Sequence, residues 1–198
     1  MIVMIKPGVP VSTMDAIHGR RSVRAYAPQK LDQATIHTLL AAAVRAPTAI
    51  HEEPWAFVIL QDADALKRLS DHAKRFFIEE MHRAHLDRGG HTLAKFEQPD
   101  FNIFYNAGTL IVICGRPIGP FVVADCWLAA ENLILAAFSL GLGTCVIGSA
   151  VTGLNTPEMK DELGIPADMS AIAPIIVGVP SDASATVPRK EPRILSWK

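Results

Sequence analysis

Several features that would assign the chain to a common class are missing. Its three cysteines, Cys114, Cys126 and Cys145, are widely separated, lie in apolar runs and form no CxxC pair. Separated thiols in odd number argue against a disulfide scaffold and fit a reducing compartment, so a cytoplasmic location is expected. Charge of one sign is missing too. Nineteen Lys and Arg against twenty Asp and Glu leave a net charge of −1, too little basic field to draw in nucleic acid. No GxSxG, HExxH or GxxxxGK[ST] element supports a hydrolase, zinc-protease or P-loop reading. The opening MIVMIKPGVPV is short and broken by Lys6, Pro7 and Pro10, unlike a signal peptide. The only long apolar run, Phe121 to Leu142, is interrupted by Asp125, Glu131 and Asn132, which suits a buried helix better than a membrane span.

What is present is an apolar chain of 198 residues, 49% hydrophobic with a mean hydropathy of +0.23. One domain over 1–198 is expected, with 1–11 an N-terminal and 180–198 a C-terminal extension. The apolar surplus calls for a large subunit interface.

The most informative motif is Arg20-Arg21-Ser22-Val23-Arg24, which follows a short helix capped by Ser12 and stopped at Gly19. Guanidinium forks donate paired hydrogen bonds to phosphate oxygens, and a hydroxyl fills a remaining position. In a chain without a global basic field, such a cluster suits a small anionic ligand. A short basic run also describes a solvated surface.

Helical periodicity is expected over Asp32 to Arg45, Ala63 to Arg75, Phe76 to Arg88 (closed by Gly89-Gly90) and Phe121 to Leu140, and from the Thr156-Pro157 cap to Leu163. Strands are expected at Trp55 to Leu60, Thr109 to Cys114, Thr144 to Gly148 and Ala171 to Val179, and Gly90 to Asn106 reads as a lid or loop. The irregular interleaving points to an α+β sandwich, a small mixed sheet with helices on both faces.

Gly141-Leu142-Gly143 is not a dinucleotide fingerprint. The third glycine position holds Val146, and the order is helix then strand. His72, His82, His85 and His91 lack neighbouring ligands at metal spacing, so no metal site is expected. Cys145 reads as a packed small residue rather than a nucleophile. Pro47 to Trp55 (PTAIHEEPW) places polar groups at a helix-to-strand junction, where a plain loop and a ligand-binding loop fit equally.

In order along the chain, RRSVR at 20–24, APTAIHEEPWAFVIL at 46–60, Ala130-Glu131-Asn132-Leu133 leading to GLGTCVIG at 141–148, and Gly178-Val179-Pro180 followed by Arg189, Lys190 and Pro192 resemble the FMN-dependent nitroreductase family. The resemblance implies a flavoprotein homodimer with its long central helix at the dimer interface and two FMN sites built from both subunits. It implies Arg20, Arg21 and Ser22 at the phosphate and ribityl chain, and Arg24 at the pyrimidine edge. Pro47, Thr48, Ala49 and His51 would reach in from the other subunit. Cys145, Val146, Ile147 and Gly148 would run along the flavin ring, and Arg189 and Lys190 would return to the phosphate. It further implies ping-pong hydride transfer from NAD(P)H through FMN to a nitroaromatic or quinone, with no catalytic side chain required. A specialised dehalogenase or flavin-consuming synthase of the same fold, or a non-catalytic flavin module, are the alternatives. The chain departs from the family at His51, where asparagine is usual, and at Glu53, where glutamine is common.

Overall fold

The computed structural model describes residues 11–85, 91–182 and 188–198. Residues 1–10 and the Gly89-Gly90 stop lie outside them. The chain runs α1 (Thr13–Gly19), α2 (Gln33–Ala43), β1 (Trp55–Leu60), α3 (Ala63–Arg83), α4 (His91–Phe96), β2 (Thr109–Gly115), α5 (Val122–Ser139), β3 (Gly143–Val146), α6 (Val151–Leu154), α7 (Pro157–Glu162) and β4 (Ser170–Gly178).

Helix starts follow the side chains that can satisfy free amides. Ser12, Asp32, Asp62 and Thr156 each accept from the backbone N–H three residues on. At Asp32 the Thr35 N–H holds the carboxyl below its ordinary range. The periodicity either side of Arg75 belongs to one helix, α3, because no glycine or proline interrupts Ala63–Arg83.

The four strands form one sheet in the order β1-β2-β4-β3. Every residue of β2 is buried, as an inner strand covered on both faces must be. Its alternating side chains feed two cores. Ile111 and Ile113 face α2 and α5, packing with Leu39, Leu133, Ile175 and Val177. Leu110, Val112 and Cys114 face the opposite layer, with Leu66, Leu69, Leu154 and Met159 from α3, α6 and α7. Helices therefore cover both faces, as expected.

The mixed sheet needs a correction, since all three strand pairings are antiparallel. β2 and β3, joined through α5, do run in the same direction, as a helical crossover requires. β4 inserts between them and runs the other way, so no parallel neighbours remain. Among the described residues, the one parallel contact is an isolated bridge from Ser22 to Thr144 at the edge of β3. The expected third strand also ends early, at Val146, and Gly148 instead opens a 3-10 turn, Gly148–Ala150.

The expected lid at 90–106 is also corrected. It contains α4, and its Ile103 and Phe104 are almost wholly buried in the second core. The polar residues around them hid two anchoring side chains. Helix α5 is long and apolar enough to cross a membrane. Its Val122, Cys126, Ala129, Leu133 and Ala137, however, line the first core.

Candidate functional site

The arginine motif is held as an added segment on the edge of the sheet. The Val23 N–H donates to the Thr144 carbonyl at 2.9 Å, the Ala27 N–H to Val179, and the Ser181 N–H to Ala25. Tyr26 locks this seam, its half-buried hydroxyl donating to the Val23 carbonyl at 2.8 Å. Burial drives that hydroxyl well above its ordinary range, so it stays protonated. Gly143 is required here, because a Cβ would stand 2.7 Å from the Val23 side chain.

The three guanidinium groups then differ. Arg21 folds back, its Nη1 donating to the carbonyls of His18 at 2.6 Å and Arg20 at 2.7 Å, which caps the end of α1. Arg24 makes a single long bond, 3.5 Å, to the Ser22 carbonyl. Arg20 Nε is buried and has no hydrogen-bond partner among the described residues. Such an orphaned cationic donor is costly unless a ligand supplies an acceptor.

Cys145, on β3, is buried beside them. Burial pushes its thiol up, while the charge of Arg24, a hydrogen bond with Ser22 and the charge of Arg20 pull it back down. The bridge from Ser22 to Thr144 sets the arginine segment alongside Cys145 at the edge of β3. After Cys145, Val146 is half-buried, Ile147 is buried and Gly148 is exposed at the turn. Arg189 and Lys190 are exposed and make no hydrogen bond or ion pair among the described residues.

Pro47, Thr48, Ala49 and His51 lie elsewhere, in the loop after α2. Ala49 begins a 3-10 turn and donates its N–H to Asp125 in the first turn of α5. Ile50, His51 and Glu53 adopt left-handed backbone, with φ of 49°, 57° and 46°. Asparagine and histidine are both enriched in that region, so His51 keeps the backbone conformation an asparagine would take.

The two groups sit at opposite ends of one helix. Ala49 meets α5 at Asp125, whereas Gly19, next to Arg20, is packed against Phe138. Thirteen residues at 1.5 Å each separate those contacts by about 20 Å.

Sequence reasoning missed Tyr26, Asp125 and Tyr105. Asp125 left a signal as an acid in the first turn of a mostly apolar helix. Tyr105, whose ring lies 5.8 Å from Arg24 Cζ, left none. Among the histidines, His72 is buried in a hydrogen-bonded chain. Arg75 donates to its Nδ1 at 3.3 Å, so its Nε2 carries the proton and donates to Thr156 Oγ at 3.0 Å, which in turn donates to the Gly153 carbonyl. His85 lies beyond α3 with φ of 54° and does not share a helix face with His82. Among the described residues, no three His, Cys, Asp or Glu side chains are grouped to hold a metal.

Residues 17–179 match the model of the Nitroreductase family. The chain belongs to that family. As a nitroreductase-family chain it is 29% identical to a protein of Archaeoglobus fulgidus provisionally named NADH dehydrogenase/NAD(P)H nitroreductase, over 84% of each chain. It is 28% identical to an FMN reductase [NAD(P)H] of Bacillus subtilis, over 85% of this chain and 66% of that protein. Its fold is similar to the crystal structure of a nitroreductase with bound FMN from Bacteroides fragilis, with a TM-score of 0.77 and 26% identity, covering 93% of this chain and 98% of the other. The nitroreductase fold thus accounts for the small antiparallel sheet and its two helical layers.

Proposed function

We propose that this chain is an FMN-dependent oxidoreductase that passes electrons from NAD(P)H to an electron-poor acceptor such as a nitroaromatic or quinone. The observation that carries this reading is the buried Nε of Arg20, without a hydrogen-bond partner among the described residues, in the segment that also carries Ser22 and Arg24. A phosphate dianion supplies the missing acceptor, and its charge balances the cluster. FMN, when bound, supplies the hydride-accepting ring, and the protein supplies position and electrostatics.

In this reading Arg20 and Ser22 hold the phosphate, and Arg21 fixes the segment through the carbonyls at the end of α1. Arg24 presents a cation to the pyrimidine edge, where negative charge develops on reduction. The 145–148 backbone lines the ring. Pro47, Thr48, Ala49 and His51 complete the site from a second copy, since within one protomer their loop meets α5 at Asp125, near one end, and the arginine segment adjoins it at Phe138, near the other. Arg189 and Lys190, exposed in segment 188–198, return to the phosphate.

The homodimer is part of the proposal. Helix α5 buries one face in the core and leaves Val123, Trp127 and Leu128 exposed on another, while Met14 and Ile17 are exposed on α1 beside it. An apolar face of this kind suits an obligate interface, which commonly buries more than ~2,000 Å².

The test is the visible spectrum of the purified protein, followed by NAD(P)H oxidation with a quinone acceptor and by sedimentation. A yellow dimer with about one FMN per chain and steady turnover is expected. Bound flavin without turnover would instead establish a non-catalytic flavin module. A colourless protein that also fails to bind added FMN would end the flavin reading.

A further inference from the structure

Two cations approach one aromatic ring from separate elements. Arg24 Cζ stands 5.8 Å from the centre of the Tyr105 ring, and Lys95 Nζ stands 5.3 Å from it. Lys95 also lies 4.7 Å from the centre of Phe101. The Phe101 and Tyr105 rings meet edge to face, 5.6 Å apart. Behind them Phe96 packs on Phe101 and Phe77 on Phe96, so an aromatic row ties this surface back to α3.

The platform is held by its own turn. Tyr105 and Asn106 take left-handed backbone, with φ of 50° and 55°. Asn102 stabilises the turn twice, its Oδ1 accepting from the Phe104 N–H at 2.8 Å and its Nδ2 donating to Asn106 Oδ1 at 3.0 Å. Neighbouring Ile103 and Phe104 anchor the segment in the core.

Charge gives the surface its chemistry. Lys67, Arg68, Lys74 and Arg116 are all paired with carboxylates. Lys95 makes no hydrogen bond or ion pair, and Arg24 has no carboxylate partner, among the described residues. An aromatic carboxylate matches what is present. Its ring packs on Tyr105 and Phe101, and its anionic group takes up the Lys95 ammonium.

We propose that Lys95, Phe101 and Tyr105 form an acceptor-recognition platform that selects electron-poor aromatic substrates bearing a carboxylate. This rests on the flavin-site reading, since Arg24 is the residue that joins the platform to the proposed ring position.

The test compares 4-nitrobenzoate with 4-nitrobenzamide, which share ring and nitro group and differ in charge. In the wild-type holoenzyme kcat/KM should favour the benzoate by about tenfold or more, the lower end of what one hydrogen bond to a charged group contributes. Lys95→Met should bring the ratio close to one, and Lys95→Arg should keep most of it. Calorimetric titration with benzoate and benzamide should show the same order without turnover. A ratio near one in the wild type, or an unchanged ratio in Lys95→Met, would overturn the platform. If quinone turnover persists in that case, the flavin reading stands and only the platform falls. A protein that binds no flavin would overturn both.

Discussion

The Ala49 N–H lies 3.3 Å from both carboxylate oxygens of Asp125, joining the loop after α2 to the first turn of α5. Asp125 is buried, and it sits where a helix N-terminus favours negative charge. The loop it holds contains three left-handed non-glycine residues, a conformation that persists only when its surroundings enforce it. Asp125→Ala should therefore destabilise the protein by about 1–3 kcal/mol, the cost of stripping a buried donor of its acceptor. Asp125→Asn, which keeps one carbonyl acceptor, should recover part of the loss. Urea unfolding of the two variants checks this. Wild-type stability in Asp125→Ala would mean that the loop is held by something else.

The unequal roles of the arginines give a second prediction. Arg20→Ala should weaken FMN binding by roughly 1.5–3 kcal/mol while the fold persists, because it removes a hydrogen bond to a charged group. Arg21→Ala should act mainly on stability, since its guanidinium serves the carbonyls of His18 and Arg20. Flavin titration and thermal unfolding of both variants separate the effects. Equal loss of affinity in the two would show that the capping geometry of Arg21 does not persist when flavin is bound.

These arginines also show how far the sequence reached. Arg20 to Arg24 stood out because guanidinium groups are conspicuous and Gly19 marked the helix end beside them. Nothing in the motif could show that Arg21 folds back onto the end of α1, because that depends on where the α1 carbonyls point. β1 was legible to the residue, and β2 to within one, from their apolar runs alone. The insertion of β4 between β2 and β3 was not, since strand order is a tertiary choice that local periodicity does not encode. Segment 91–106 misled because its polar majority hid Ile103 and Phe104, and burial of two side chains is enough to anchor a turn.

A third prediction concerns acid. Burial would raise the Asp71 carboxyl, but hydrogen bonds from Lys67 and Lys74 outweigh it and leave the group below its ordinary range. A carboxyl lowered in the folded state adds stability that is fully present above its unfolded value. That stability is lost as pH falls through the folded value, below about pH 4. Asp71→Asn should thus lower stability at neutral pH and flatten this part of the acid limb. Because the side chain is 44% exposed, added salt should shrink the difference. Urea midpoints against pH, at low and high salt, test this. Parallel wild-type and Asp71→Asn curves would remove Asp71 from the acid response.

Ile50 combines two unfavourable features, and the proposed dimer would account for both. It is a β-branched residue with φ of 49° and ψ of 23°, and it is 80% exposed. Left-handed backbone costs an ordinary L-residue about 1–2 kcal/mol, and asparagine tolerates it far better. A loop chosen only for the protomer's own stability would not keep isoleucine there. If Ile50 packs on the second copy, alongside the loop residues proposed to reach the flavin, the contact offsets the strain. Ile50→Asn should then stabilise the isolated protomer by roughly 1 kcal/mol yet weaken the dimer. Sedimentation over a range of concentrations should show it dissociating where the wild type stays paired, with flavin released in step. A variant that gains stability and remains as tightly dimeric as the wild type would place Ile50 outside the interface and leave its exposure a property of the loop alone.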